Sequence, residues 1–277
     1  MEETNKNDIS EITRKIGKFI VITFLVQRFF VIFLNDSLVN LLHGYGPLSK
    51  SDPIEITMIV RSSILKLSAI ITGVFIFKPN IKDVFLNKNE IYKLSLKAKI
   101  KLMPLFISVS LFAAILSMFV MAIYSKHIIS VPMPETTLLL SIFGILVAPI
   151  IEEFIYRGIF LNQLKGIGYS FSIIISSIYF GVMHGIGFLH AFIIGVILGV
   201  ACVLTGNIKW SIIIHCIYNL TTDLIGYLFL PLFQQMSYIT GSVTIGVVLL
   251  LIFLITSMRD REIKELYNKI NIKNIIE

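Results

Sequence analysis

The chain has 277 residues, of which 56% are hydrophobic and only 15% charged, with a mean hydropathy of +0.86. An ordinary soluble domain carries about 25% charge, so this composition excludes a disordered or collagen-like chain and argues against a soluble globular protein. It is the composition of an all-α polytopic membrane protein. The net charge of +7 would raise nucleic-acid binding in a soluble protein, but here the placement of the charges matters more than their sum.

A bilayer-crossing helix needs about 20 mostly apolar residues, and backbone polar groups cannot go unpaired in lipid. Eight runs qualify as transmembrane helices: 16–34, 56–77, 103–124, 137–160, 170–187, 191–206, 211–230 and 241–257. The first follows a polar, charged stretch (1–18) with no small-residue cleavage site after it, so it is expected to be a retained helix. The second carries Arg61 and Lys66, which makes it the least convincing as a simple lipid-facing span. Eight crossings put both termini on one side. Nineteen of the 24 Lys and Arg residues then lie on that side, against Lys50 and Lys126 on the other, with Arg28, Arg61 and Lys66 inside spans. The positive-inside rule makes the termini cytoplasmic, in the cell membrane, and the excess positive charge faces anionic inner-leaflet lipid rather than nucleic acid.

No repeat or Pro/Gly/Ser-rich linker divides the chain, so one structural domain is expected. Within it, residues 1–136 supply N-terminal transmembrane helices and a basic cytoplasmic segment (78–101), which is either an amphipathic surface helix or a lysine-anchored loop. Residues 137–230 form a helical core, and 231–277 add the last span and a cytoplasmic tail expected to be a solvated helix. Cys202 and Cys216 form neither a disulfide framework nor a CxxC metal site. Gly195 and Gly199 form a GxxxG pair suited to close helix packing.

Charge at bilayer depth is costly and marks function by default. Residues 137–257 contain only six charged residues: Glu152, Glu153, Arg157, Lys165, Lys209 and Asp223. Glu153 and Arg157, four apart on a helix, can pair. Glu152 points about 100° away and is left free to act as a general base; the alternative is a helix-locking ion pair with Glu152 as a bystander. Phe180 and His184 share a face one turn apart, where His184 is either catalytic or a packing residue. His215 and Asn219 also share a face. Both can donate to a developing oxyanion, or can simply bond between helices. Asp223 continues that stripe and is given a structural role. At about 1.5 Å per residue, Glu152 and His184 come out about 21 Å from their inner turns and Asn219 about 15 Å, so Asn219 is expected to be shallower.

EExxxR at Glu152–Arg157, FxxxH at Phe180–His184 and HxxxN at His215–Asn219, in that order on separate spans, resemble the three signature motifs of the CPBP intramembrane proteases. That family includes the type II CAAX prenyl endopeptidases and bacterial relatives tied to bacteriocin self-immunity. The resemblance covers about residues 137–225. It implies that Glu152 and His184 bind and activate a water, that His215 and Asn219 stabilise the tetrahedral oxyanion, and that Glu153, Arg157 and Phe180 support the site. The implied reaction is intramembrane endoproteolysis of a membrane-anchored protein or peptide precursor. Members are called metalloproteases, but this sequence has no HExxH, and a metal-free glutamate mechanism is favoured. Were zinc or another divalent metal present, Glu152, His184 and His215 would be its ligands. Two other readings compete: a non-proteolytic scaffold or immunity partner, which would not need Glu152, and a proton-coupled transporter, which the lack of repeated halves disfavours. A rhomboid-type GxSG serine is absent, and Asp223 alone cannot make an aspartyl dyad.

Overall fold

The computed structural model describes residues 2–29, 33, 52–79, 84, 94–125, 138–229 and 234–269, all of them helix, turn or connecting chain, with no strand among them. In order, the long helices are α1 (Glu2–Phe29), α2 (Asp52–Phe77), α3 (Leu96–Ser125), α4 (Leu138–Leu164), α5 (Tyr169–Met183), α6 (Phe188–Thr205), α7 (Ile208–Phe229) and α8 (Gln234–Ser257), followed by the short α9 (Arg261–Lys269). Each of the eight apolar runs centres on one of these helices; 170–187 overruns α5 into the turn at His184 and a 3-10 turn at Gly185–Gly187, 191–206 ends one residue past α6, and other run ends lie outside the described residues. Five stretches, in α2, α3, α4, α6 and α8, are long and apolar enough to cross a membrane, and α5 is a shorter apolar helix. The outward faces are apolar: Phe75 on α2 and Ile123 on α3 are each 79% exposed. Contiguous exposed apolar surface on this scale marks contact with lipid or protein rather than water.

Two clusters of buried side chains organise the bundle. One joins α1, α2, α4 and α5 through Phe19, Phe77, Phe160, Tyr179 and Phe180. The Phe19 ring lies 5.5–5.6 Å from the rings of Tyr179, Phe77 and Phe160. Such aromatic pairs add about 0.5–1.5 kcal/mol each beyond their buried area. The second cluster joins α3, α6 and α7 through Phe106, Leu111, Leu198, Ile214 and Tyr218, with α8 packed against it. There Ser108 Oγ donates to Gly246 O at 2.8 Å, tying α3 to α8. The GxxxG pair packs closely, as its spacing predicts. A Cβ on Gly195 would lie 3.0 Å from Ser177 Cβ, and one on Gly199 would lie 3.0 Å from Ile173 Cγ2, so both glycines are needed for α6 to approach α5.

α4 is not a uniform α-helix. Two stretches, Phe143–Val147 and Phe154–Leu161, wind as wider π turns on either side of the α-helical Ala148–Glu153. Pro149 accounts for the first: it has no N–H to donate, and its ring crowds the carbonyl one turn back. The chain instead closes an i−5 bond from Ala148 N to Phe143 O. π turns of this kind recur at functional sites, and these two bracket Glu152 and Glu153.

Two expectations change. The described part of the tail is a helix solvated on one face, with Arg261 93% exposed, but docked on the other. In α9, Ile263 and Leu266 are buried, and Asp260 Oδ1 caps its first turn by accepting the Glu262 and Ile263 N–H groups at 3.0 and 3.3 Å. The cap is held to the start of α3 by Lys101 Nζ on Asp260 Oδ2 at 2.5 Å and by Ser95 N on Glu262 Oε1 at 3.0 Å. The basic segment 78–101 lies mostly outside the described residues, but Lys97, Lys99 and Lys101 form the first turns of α3. Both cysteines are free.

Candidate active site

The two adjacent glutamates of α4 face different partners, because consecutive helix positions diverge by about 100°. Glu153 is fully enclosed. Its Oε1 accepts from Arg157 Nη1 at 2.9 Å and from His215 Nδ1 of α7 at 3.1 Å. Arg157 is also fully enclosed. Its Nη2 donates to Gly195 O on α6 at 2.7 Å, and its guanidinium lies 5.0 Å from the Phe180 ring centroid. The bare Gly195 backbone that admits α5 therefore also presents a carbonyl to Arg157. One arginine thus ties α4, α5 and α6 together, and a charge this deep is tolerable only because it is paired and hydrogen-bonded.

Glu152 points the other way. Its side chain is 10% exposed, and Oε1 lies 3.1 Å from Lys66 Nζ on α2. Its Oε2 lies 3.9 Å from His215 Nε2, beyond direct hydrogen-bond reach. His215 thus sits between the two carboxylates. Because Glu153 can only accept, His215 Nδ1 carries the hydrogen of that contact, which turns Nε2 toward Glu152.

Asn219, one turn along α7, donates from Nδ2 to Gly144 O in the first π turn at 2.9 Å, which leaves its second amide hydrogen for another acceptor. Its depth corrects the rise count. His215 is level with Glu152 and Glu153, and Asn219 is level with Gly144, so Asn219 lies beyond Glu152, farther from the 165–168 turn, rather than shallower. The count assumed that α4 and α7 share one inner level. Instead Ile208, the first residue of α7, lies against Gly158, where a Cβ would meet its Cδ1 at 3.6 Å, so α7 starts about six residues farther in than the end of α4. Val84 fills the space at that level. It is buried with Cys202 and Ile208, and its Cγ1 would lie 2.6 Å from a Cβ on Gly158.

His184 closes α5 and is exposed; its Nδ1 donates to Phe180 O at 2.7 Å. A backbone carbonyl accepts only, so Nε2 is left with its lone pair. Phe180 links His184 to the buried cluster, its ring centroid 4.4 Å from that of His184 and 6.0 Å from that of His215. His190 sits apart, sharing a 3.1 Å hydrogen bond with Tyr218 Oη, and Asp223 is half-buried.

Among the described residues, no three His, Cys, Asp or Glu side chains are grouped to hold a metal ion. Glu152, His184 and His215 are therefore not gathered into a three-ligand set among the described residues, and Lys66 already occupies one Glu152 oxygen. Lys66 is the one member of the cluster that motif reading missed. Its signal was present as an ionisable residue in an otherwise apolar run, but nothing in the local sequence indicated its partner.

Two adjacent carboxylates on different partners, an imidazole between them and two cations, walled by apolar helices, make this a helical membrane protein with a buried charged cluster at its core. Residues 134–221, from before α4 through most of α7, match the family model described as type II CAAX prenyl endopeptidase Rce1-like. The match spans 88 of the 277 residues, and over that segment the chain is similar to the CAAX-type membrane proteases. No curated protein and no solved structure matches the chain.

Proposed function

We propose that this chain is an intramembrane endopeptidase that cleaves a membrane-anchored protein or peptide precursor without a metal. The observation carrying the reading is the division of labour between adjacent carboxylates. Glu153 is fully buried, with Oε1 held by Arg157 and His215, whereas Glu152 keeps Oε2 directed toward His215 Nε2 across 3.9 Å. In the proposed reaction, Glu152 takes a proton from a water oriented by His184 Nε2, and the water oxygen bonds to the scissile carbonyl carbon. The second Asn219 amide hydrogen and a protonated His215 Nε2 stabilise the oxyanion. Collapse breaks the C–N bond as Glu152 returns its proton to the leaving amine. The Glu153 carboxylate orients His215 and stabilises its positive charge, and Arg157 holds Glu153. The same reading has eight membrane crossings with both termini cytoplasmic, from the distribution of Lys and Arg.

The test compares peptides in membrane and secreted fractions of cells carrying wild type, Glu152→Ala or Glu153→Ala, with protein level and insertion checked in each. A fragment that disappears with Glu152→Ala while the protein remains folded supports the reading and identifies the substrate. Unchanged peptides, with any cellular phenotype retained in Glu152→Ala, would overturn it in favour of a scaffold.

A further inference from the structure

Lys66 lies on α2, outside the segment 134–221 that matches the family model, yet its ammonium is at the centre of the site. Nζ is 3.1 Å from Glu152 Oε1, donates to Ser62 Oγ one turn back at 2.5 Å, and lies 5.4 Å from the Phe143 ring centroid. Phe143 opens the first π turn of α4, and its neighbour Gly144 supplies the carbonyl that anchors Asn219. Lys66 therefore contacts Glu152 and the ring of Phe143, the residue next to the carbonyl that anchors Asn219, and its own side chain is 18% exposed.

The charges balance around it. Glu153 is matched by Arg157 from the same helix. Among the described residues, the permanent cation beside Glu152 comes from α2, the facing groups being Lys66 and the His215 edge of α7. Lipid supplies no counter-charge, and an ionised carboxylate away from water needs a partner. A lysine in an apolar span likewise needs one.

We propose that Lys66 is a positioning residue for Glu152. It fixes one carboxylate oxygen so that the other is presented to His215 and the substrate, and a residue of the N-terminal helices thereby completes the active site. This inference rests on the protease reading of Glu152. An arginine, also cationic and long, should substitute for it in part. A methionine of similar length should not, because it leaves Glu152 free to rotate and without its counter-charge.

The experiment uses the full-length protein. Fragment release is followed in membranes of the producing cells, whose own proteins serve as substrate, for wild type, Lys66→Met and Lys66→Arg. Unfolding in detergent is followed for wild type, Lys66→Met, Glu152→Gln and the double variant. Lys66→Met should lower release by at least about tenfold, since misplacing a catalytic group by 1 Å can cost about 10²-fold, and Lys66→Arg should recover most of it. Lys66→Met should lower the unfolding midpoint clearly in the wild-type background and much less with Glu152→Gln, as expected of directly coupled side chains. If Lys66→Met does not accumulate, Lys66→Gln takes its place.

Coupling with release unchanged in Lys66→Met would overturn the positioning role and leave the protease reading intact. Equal destabilisation in both backgrounds would show that the ion pair does not form and would overturn the inference at its base. Loss of release with no recovery by Lys66→Arg would point to a packing role and overturn it as well. Absence of any Glu152-dependent fragment would overturn the protease reading, and the unfolding cycle would then report an ion pair alone.

Discussion

Replacing Arg157 by leucine should be among the most damaging single changes in the α4–α7 core. The side chain has no solvent exposure and supports three contacts: Nη1 on Glu153 at 2.9 Å, Nη2 on Gly195 O at 2.7 Å and the guanidinium 5.0 Å from the Phe180 ring centroid. Leucine fills only part of that volume and leaves Glu153 a buried carboxylate with His215 as its remaining partner. Removing one partner of a buried pair costs about 3–5 kcal/mol. The hydrogen bond to Gly195 O and the ring contact belong to the same group, so their separate values of about 1.5–3 and about 0.5–2 kcal/mol do not simply add. We therefore expect a loss of about 3–5 kcal/mol, measured by reversible unfolding in mixed micelles. The double variant Glu153→Gln/Arg157→Leu, which removes the stranded charge, should recover part of the loss. A loss below about 1 kcal/mol for Arg157→Leu, in the range of a surface ion pair, would refute this account of the core.

Three further outcomes follow from the geometry. Gly195→Val places a Cβ 3.0 Å from Ser177 Cβ and 3.1 Å from Ser177 Cα; the latter is backbone and cannot swing aside, so thermal unfolding should show an overpacking loss of about 1–3 kcal/mol. By contrast, Gly17→Ala, with nothing within 4 Å of the new Cβ, should be neutral or gain up to about 1 kcal/mol of helix stability. The docking of α9 should depend on pH, because the Lys101 hydrogen bond to Asp260 holds that carboxyl below its usual range. A lowered value means that the contribution is fully present above the unfolded carboxyl value of about 3.9 and is lost as pH falls through the folded one. The protection of amides in 261–269, measured relative to their intrinsic exchange rates at each pH, should therefore be high at neutral pH and fall in strong acid, while Asp260→Asn should show reduced protection already at neutral pH. Wild-type protection in Asp260→Asn would show that the Lys101 contact does not hold α9.

The amino-acid sequence by itself determined the membrane class, the helical runs and the motif residues, because these depend on local quantities. Apolar run length sets which segments can enter lipid, and an i, i+4 spacing brings Glu153 to Arg157 and Phe180 to His184 whatever the rest of the chain does. The same holds for the GxxxG face, since two glycines one turn apart leave a flat surface in any helix. It also pointed to Lys66 as out of place in its run. Only the tertiary structure decided what each charged group meets. Glu152 was left without a partner by its own helix, and its cation came from α2, some 86 positions earlier in the chain. Asn219 lies deeper than counting residues indicates, because the inner ends of α4 and α7 are staggered and Val84 fills the step. The tail helix, solvated on one face, is docked by the other because Ile263 and Leu266 are buried and Ser95 and Lys101 meet its first turn. The physical reason is common to all three. Helix register is set by packing and by pairing across helices, and in an apolar surround a charge is held wherever a distant segment brings its counter-charge.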